Sequence, residues 1–281
     1  MNKFYTDKHQ IIDWLDKYKI ENYTLVPDEK YGFIVNVNGD VGLHKKNLIT
    51  VPVKFNTVGG SFWCCDNQLT SLEFCPQEVD KSFNCHNNKL TSLEFCPKTV
   101  GGDFDCGNNS LISLEFCPQT AGDNFYCSYN KLTSLEFSPQ TVGGFYCSHN
   151  QLTSLEFSPQ TVGGSFYCDN NKLTSFEFCP QIVGDNFNCS NNKLTSLEFC
   201  PQTVAGSFYC DDNKLTSLEF CPQAVSGSFY CNYNPELKEI QKINDFKLIL
   251  LEHKKILITK FSDKLENDLI DNSKKTAKIK I

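Results

Sequence analysis

The amino-acid sequence predicts an α/β-type repeat solenoid dominated by β-structure and closed by a helical cap at each end. The main evidence is a unit of 21 residues, with the pattern F-x-C-x-x-N-x-L-T-S-L-E-F-C-P-x-x-V, that recurs from Val58 to Asn234. Nine units follow one another, and one of them is a residue short between Val142 and Phe145. Units this regular stack into a one-dimensional array, because no single unit can bury its own apolar side chains.

The first part of each unit, F-x-C, predicts a short strand with one buried face. Apolar residues alternate with a single outward residue, so Phe166 and Cys168 are predicted to point inward and Tyr167 outward. Equivalent strands stacked coil on coil would form a parallel sheet. An asparagine three residues after each cysteine is expected to turn its amide inward and satisfy backbone groups at the bend. This asparagine column comprises Asn67, Asn88, Asn109, Asn130, Asn150, Asn171, Asn192 and Asn213, and continues to Asn234.

The second part of each unit is expected to return apolar side chains to the core. In the sixth unit, Leu173 and Phe176 are predicted to point inward, and Phe178 to add a third apolar side chain. Pro180 then turns the chain toward Val183, where the coil closes.

The two ends depart from the repeat, as terminal units with one neighbour do. Asp7 and Gln10 have capping-box spacing before an amphipathic stripe, which predicts a helix over 6–19 and strands over 23–37. After Pro235, where the repeat breaks, spaced apolar residues predict helical segments over the last coil. The predicted organisation is 1–36 as an N-terminal cap of helix plus strands, 37–57 as a degenerate first repeat, 58–240 as an array of about nine units, and 241–281 as a C-terminal helical cap and tail.

The segment F-x-C-x-x-N-x-L lies directly over the leucine-rich-repeat consensus L-x-L-x-x-N-x-L, and over roughly residues 37–240 the chain resembles leucine-rich-repeat proteins. A unit of 20 or 21 residues is similar to the short class of secreted bacterial effectors. The fuller pattern is also similar to repeat proteins of phages, giant viruses and some bacteria. The resemblance implies a right-handed superhelix with its parallel sheet on the concave face. Phe and Cys replace the commoner Leu, and Gly stands at the first Leu of the consensus, which loosens any functional analogy.

Fifteen of the sixteen cysteines fall at two fixed phases of the repeat, and Cys65 is the exception. Parallel columns do not converge their sulfurs on one centre, and they do not readily supply the disulfide dihedral of about 90°. We therefore expect free cysteines packed in the core, with no metal and no cofactor. The second column includes Ser138 and Ser158, which indicates that the position requires a small residue. Cys65 is expected near the edge of the sheet face, either as a reactive surface thiol or as an ordinary exposed residue.

No catalytic arrangement emerges from the sequence. None of the five histidines sits beside a serine, a cysteine or a carboxylate in a nucleophilic pattern. They are His9, His44, His86, His149 and His253. We therefore predict that the protein is not an enzyme.

The outward positions of the predicted sheet are the best candidates for a binding site, because solenoids use this surface for extended contacts. Exposed tyrosine and tryptophan are enriched at recognition surfaces. Cross-strand stacking for stability alone explains the same pattern equally well. The predicted partner-binding residues are Trp63, Tyr126, Tyr129, Tyr146, His149, Tyr167, Tyr209, Tyr230 and Tyr233.

Composition limits the class of partner and the cellular location that we expect for this protein. The net charge is −7, and the basic residues are 26 lysines without any arginine, so nucleic acid is an unfavourable partner. No segment approaches the roughly 20 apolar residues that span a bilayer, and the N-terminus lacks the parts of a signal peptide. We expect a monomer in the cytoplasm, which would be the host cytoplasm for a viral protein or an effector. Absent arginine with abundant Lys, Asn, Ile and Phe suits the AT-rich genome of a virus or a low-GC bacterium.

These observations predict a non-enzymatic scaffold that binds another protein through a tyrosine-rich concave face. A carbohydrate- or small-ligand-binding module is the alternative, because aromatic rows also suit sugars. Recent duplication with little selected function is a further possibility. The outward positions vary more than the core, which favours recognition.

Overall fold

The computed structural model describes residues 4–237, 248–256 and 258–259 and shows a stack of coils built from very short strands. One helix, α1 (Lys8–Lys17), precedes them, and a 3₁₀ turn (Pro235–Leu237) follows the last strand. In chain order the strands are β1 (Tyr23–Asp28), β2 (Gly32–Val37), β3 (Val41–Gly42), β4 (Phe55–Val58), β5 (Phe62–Trp63), β6 (Glu78–Val79), β7 (Phe83–Asn84), β8 (Thr99–Val100), β9 (Phe104–Asp105), β10 (Phe125–Tyr126), β11 (Thr141–Val142), β12 (Phe145–Tyr146), β13 (Thr161–Val162), β14 (Phe166–Tyr167), β15 (Ile182–Val183), β16 (Phe187–Asn188), β17 (Thr203–Val204), β18 (Phe208–Tyr209), β19 (Ala224–Val225) and β20 (Phe229–Tyr230).

The nine F-x-C strands and β3 of the degenerate first repeat form one continuous parallel sheet of ten strands. Its order is β20-β18-β16-β14-β12-β10-β9-β7-β5-β3, so each coil contributes one strand beside the next. The unit that is one residue short does not interrupt this sheet, because Phe125 pairs with Phe145 in register. The missing residue is absorbed in the connection that precedes the strand.

A second side of the solenoid carries the two-residue strands that end each unit, together with the longer β1, β2 and β4, in two separate five-stranded sheets. One sheet has the order β1-β2-β4-β6-β8, and the other β11-β13-β15-β17-β19. Between them the pairing is reduced to a single bridge from Val100 to Ala121. This break lies immediately before the shortened unit.

At the N-terminus, α1 and an antiparallel hairpin cover the first coils. Asp7 caps the helix by accepting hydrogen bonds from the amides of His9 and Gln10 at 3.0 and 3.1 Å. The helix buries Trp14 against the first coils, with its ring 6.3 Å from that of Phe55. The hairpin pairs β1 with β2, and β2 then runs parallel to β4. This end of the stack therefore presents a helix and a hairpin instead of an open coil.

The core is organised around one stacked column of phenylalanines. Phe62 and the eight equivalent residues after it are buried, and neighbouring rings lie 5.1–5.9 Å apart. The cysteine two residues later in each unit is buried beside them. All sixteen cysteines are free thiols. The inward pattern of F-x-C is the one that the sequence predicted.

The asparagine column ties each coil to the one before it. The side-chain amide of Asn171 donates to the carbonyl of Cys147 in the preceding coil at 3.1 Å, and to Cys168 in its own coil at 3.1 Å. Its side-chain oxygen accepts the amide hydrogen of Leu152 at 3.0 Å. The same pattern recurs at Asn67, Asn88, Asn109, Asn130, Asn150, Asn192, Asn213 and Asn234.

The phenylalanine of L-E-F does not point inward, and the prediction for Phe178 was wrong. The Cys179 amide donates to the Phe176 carbonyl at 2.9 Å, which closes a four-residue turn. Phe178 is the third residue of this turn with a φ of 68°, so its side chain leaves the core. Seven equivalent residues are 42–54% exposed, namely Phe95, Phe116, Phe137, Phe157, Phe178, Phe199 and Phe220. Phe74 is the exception, buried against Phe4.

In five coils the residue before the proline is also a hydrogen-bond donor to the next coil. Cys117 donates from Sγ to the carbonyl of Phe137 at 3.2 Å, and Ser138 donates from Oγ to the carbonyl of Phe157 at 2.7 Å. The position therefore requires a donor as well as a small side chain, which explains why serine and cysteine interchange there.

At the C-terminus, residues 248–256 and 258–259 are helical. Ile249 is buried in the core, and His253 accepts the amide hydrogen of Leu218 at 3.1 Å through Nε2. The helix therefore packs on the final coils. The other residues of the predicted cap and tail, 241–247, 257 and 260–281, lie outside the described part of the chain.

Candidate binding face and a polar cluster at its edge

The outward side chains of the ten-stranded sheet form one continuous surface, which we call the tyrosine face. Strand alternation produces it, because the phenylalanine and the cysteine of every F-x-C segment are buried while the residue between them is partly exposed. In chain order the face consists of Trp63, Asn84, Asp105, Tyr126, Tyr146, Tyr167, Asn188, Tyr209 and Tyr230.

The tyrosines of this face contact one another in two groups. Tyr126 and Tyr146 are stacked with ring centroids 4.5 Å apart, and Tyr167 meets Tyr146 edge-on at 5.3 Å. Beyond Asn188, Tyr209 and Tyr230 are stacked at 4.8 Å. The predicted face is therefore an interrupted row of mutually contacting rings.

A second pair of stacked rings lies three residues after Tyr126 and Tyr146 in the same two coils. Tyr129 stacks on His149 with ring centroids 4.1 Å apart, and 55% of Tyr129 is exposed. Tyr233 occupies the equivalent place in the last coil and is 72% exposed. Trp63 lies on the tyrosine face at its N-terminal end, where Asn84 and Asp105 separate it from the tyrosines.

Burial and nearby carboxylates raise the pKa of two tyrosines of this face, Tyr126 and Tyr167. Partial burial raises the pKa of Tyr126 to about 12, and Asp103 and Asp105 contribute in the same direction. The pKa of Tyr167 is raised by burial, with smaller contributions from Asp185 and other neighbours. These hydroxyls can therefore both donate and accept hydrogen bonds at physiological pH.

A polar cluster occupies the N-terminal end of the tyrosine face. It consists of Cys65, Asp66, Asn84, His86 and Asp105. One ligand atom each from Cys65, Asp66 and His86 lies within 4.8 Å of the others. His86 Nδ1 is 2.8 Å from Asn84 Oδ1 and 3.4 Å from Asp105 Oδ2, while Nε2 is 3.8 Å from Asp66 Oδ1. The two imidazole nitrogens thus face different partners.

The charges of the cluster are coupled. The hydrogen bond between His86 and Asp105 raises the pKa of His86 despite partial burial of the ring. The negative charges of Asp105 and Asp66 also favour the imidazolium. A hydrogen bond from Asn87 lowers the pKa of Asp66. Burial raises the pKa of the Cys65 thiol to about 11.

The expectation that Cys65 is exposed was wrong. Cys65 is only 8% exposed and, with its raised pKa, is not a reactive surface thiol. His86 does lie beside carboxylates, because the stacking of coils brings Asp66 and Asp105 to it from the neighbouring units. A signal was available in the sequence, since Cys65 and His86 occupy the same phase of adjacent units, 21 residues apart.

A cavity of about 230 Å³ joins the polar cluster to the aromatic part of the face. His86 and Asp105 line its polar side, and Tyr126 and Tyr129 line its aromatic side. The cavity is therefore a place where a charged group and an apolar group of one ligand could both be accommodated.

Comparison with known proteins supports the fold. No family model matches the chain, and no curated protein does so either. YopM from Yersinia enterocolitica WA-314 aligns over 69% of this chain and 47% of its own, with a TM-score of 0.55 and 19% identity. This chain has the leucine-rich-repeat fold. Its repeat length fits the short class of leucine-rich repeats.

A second similar structure is the functional domain of InlJ from Listeria monocytogenes, which includes a cysteine ladder. It aligns over 71% of this chain and 49% of its own, with a TM-score of 0.46 and 20% identity. The leucine-rich-repeat chain described here spans about half the length of each of these two structures. Within its described residues, no helix combines the length and apolar character needed to cross a membrane.

Proposed function

We propose that this leucine-rich-repeat chain is a non-enzymatic scaffold that binds a protein partner along the tyrosine face. The observation that carries the proposal is the row of partly exposed tyrosines, Tyr126, Tyr146 and Tyr167, held in contact with one another on a sheet. Rings held in this way lose little conformational freedom when a partner covers them. Their hydroxyls supply hydrogen bonds at the same surface.

The charges around the tyrosines favour a basic partner segment. Asp103 and Asp105 act on Tyr126, and Asp169 and Asp185 act on Tyr167. Carboxylates beside aromatic rings suit lysine or arginine side chains, which form ion pairs and pack on ring edges. The partner segment is therefore expected to combine apolar residues with basic ones, and its binding to weaken as salt is added.

The ring geometry favours protein over carbohydrate. A sugar ring stacks on an open aromatic face, but the facing surfaces of Tyr126 and Tyr146 cover each other at 4.5 Å. Tyr209 and Tyr230 cover each other in the same way at 4.8 Å. The ring edges and hydroxyls remain for a partner, and these suit peptide groups and side chains.

The test is affinity capture with the reduced, full-length chain, comparing the native protein with the triple variant Tyr126→Ala, Tyr146→Ala and Tyr167→Ala. A benzophenone amino acid at position 146 adds a photo-crosslink to whatever lies on the face. Each anchor removed is expected to weaken binding by about tenfold, which corresponds to roughly 1–2 kcal/mol.

A matched control changes three outward residues of the other sheet, Thr141→Ala, Thr161→Ala and Thr203→Ala, all of which are exposed. A protein retained by the native chain and this control but lost from the tyrosine variant supports the proposal. Equal retention by all three chains contradicts it. Binding to an array of glycans that is lost in the tyrosine variant would favour the carbohydrate alternative instead.

A further inference from the structure

We propose that Cys65, Asp66 and His86 form a binding site for one divalent transition-metal ion of the zinc class. The three side chains come from two adjacent coils and offer one sulfur, one oxygen and one nitrogen ligand, all within 4.8 Å of one another. None of the proposed ligands is a tyrosine of the tyrosine face, and the proposal does not depend on the proposed function.

The distances fit a tetrahedral zinc site after a small adjustment. Zinc binds sulfur at about 2.3 Å and nitrogen or oxygen at about 2.0–2.2 Å, so tetrahedral ligand atoms are roughly 3.3–3.8 Å apart. His86 Nε2 and Asp66 Oδ1 are already 3.8 Å apart. The widest spacing has to close by about 1 Å, which side-chain rotation of the partly exposed Asp66 and His86 can provide.

The imidazole of His86 is oriented for this role. Asn84 Oδ1 lies 2.8 Å from Nδ1, so that nitrogen donates its hydrogen and leaves Nε2 free to bind a cation. Asn84 is held in turn, since its Nδ2 donates to Asp105 Oδ2 at 3.2 Å. Metal-binding histidines commonly have their second nitrogen fixed by an oxygen in this way.

The charge balance and the donor types indicate the class of metal. Cys65 binds as a thiolate after releasing its proton to solvent, and with the Asp66 carboxylate it neutralises a charge of +2. A sulfur, nitrogen and oxygen donor set suits zinc or cobalt better than calcium or magnesium, which prefer oxygen alone. Three protein ligands leave a fourth position open to water or to a group of a partner.

The repeat shows that these residues are not needed for folding. At the phase of Cys65 and His86 other coils carry Ser128, Ser148 and Ser190, and at the phase of Asp66 four coils carry asparagine, at Asn87, Asn108, Asn170 and Asn191. This comparison also supplies conservative variants, because each ligand can be replaced by the residue that equivalent coils already have.

The test is titration of the reduced full-length chain with Co²⁺, followed by displacement with Zn²⁺. We expect one equivalent of Co²⁺ to bind with a thiolate-to-cobalt charge-transfer band and the visible absorption of a tetrahedral site. Cys65→Ser is expected to abolish the charge-transfer band. The matched control is Cys221→Ser, since Cys221 is the most exposed of the other cysteines and serine occurs in its column at Ser138 and Ser158.

Two further variants keep the test decisive if Cys65→Ser misfolds. Asp66→Asn and His86→Ser are each expected to weaken metal binding by at least about tenfold while circular dichroism stays native-like. Bound zinc is expected to raise the melting temperature of the native chain and of Cys221→Ser. Absence of binding overturns the proposal, as does a band that survives Cys65→Ser or disappears with Cys221→Ser.

Discussion

The side-chain oxygen of Asn150 accepts the amide hydrogen of Leu132 at 3.0 Å, across the boundary between two coils. The side-chain nitrogen of Asn150 donates to the carbonyls of Cys127 and Cys147, both at 3.0 Å. All of these groups are buried, so the amide satisfies backbone atoms that water cannot reach. One side chain thereby connects the backbone of successive coils, and the same relationship repeats along the stack.

Replacing this amide should destabilise the array strongly. Asn150→Ala leaves the buried Leu132 amide without a partner and removes one hydrogen bond from each of two carbonyls, which keep their bonds from Asn130 and Asn171. A buried unsatisfied group costs about 1–3 kcal/mol and each lost hydrogen bond about 1 kcal/mol, so we expect a loss of roughly 2–4 kcal/mol. Urea unfolding measures the loss, and hydrogen exchange should show the Leu132 amide opening. The adjacent Gln151→Ala is the control, because Gln151 is exposed and its loss should change stability by less than about 0.5 kcal/mol. Equal effects would contradict the assigned role.

The two phenylalanine columns should respond differently to the same substitution. Phe125→Ala removes a fully buried ring stacked on two others and should cost about 3–5 kcal/mol. Phe137→Ala removes a ring that is 44% exposed and should cost about 1 kcal/mol. Urea midpoints of both variants measure the difference. Similar losses would mean that Phe137 is part of the core.

The backbone conformation at Phe137 predicts different stabilities for two substitutions at this position. Its φ of 71° lies in the left-handed region, which costs most residues about 1–2 kcal/mol but is tolerated by asparagine. Phe137→Asn should therefore be more stable than Phe137→Ala by about 1 kcal/mol. A higher urea midpoint for Phe137→Asn than for Phe137→Ala is expected. The reverse order would show that the turn is not strained.

Stability should fall in alkaline solution because the thiols are buried. Burial raises the pKa of Cys117 from 9.0 to about 12, so its protonated form is favoured in the folded chain. The stabilisation is complete below about pH 9 and declines as the pH rises toward 12, since only the unfolded chain then releases the proton. The expected slope is about −1.4 kcal/mol per pH unit for each such thiol.

Cys117→Ser tests this linkage. Serine occupies the same column at Ser138 and Ser158, where the hydroxyl keeps the hydrogen bond to the next coil. Urea unfolding with reductant at pH 7.5 and at pH 9 should show a shallower decline for Cys117→Ser than for the native chain, by about 0.4 kcal/mol for one thiol at its unfolded pKa. Parallel declines would show that Cys117 does not contribute to the pH dependence.

The sequence was sufficient for the repetitive part of the fold. Phe166 and Cys168 alternate with Tyr167 on a strand. This period of two directs Phe166 and Cys168 into the core, whichever residues the neighbouring coil contains. The column of Asn171 also followed from sequence, because a polar amide at the same phase of every coil has to serve the backbone. Both inferences depend only on local geometry repeated in every unit.

The failures have a common cause in geometry beyond the strand. Phe178 follows the same apolar alternation, but it lies in a turn that closes between Phe176 and Cys179. A positive φ at the third residue of that turn directs the side chain outward, and alternation in a strand does not apply. The sequence pattern around Cys65 or His86 does not by itself reveal the polar cluster, because stacking makes residues one unit apart direct neighbours.

The repeat pattern alone was enough to predict a stack of coils with a parallel sheet and a row of aromatic side chains on the outward face of that sheet, because a fixed period repeats the same local preferences in every unit. It could not show which phenylalanines are buried, which tyrosines touch, or that Cys65, Asp66 and His86 converge. These properties depend on the turn conformation within a coil and on contacts between coils. Distances of that kind arise only when the coils are stacked.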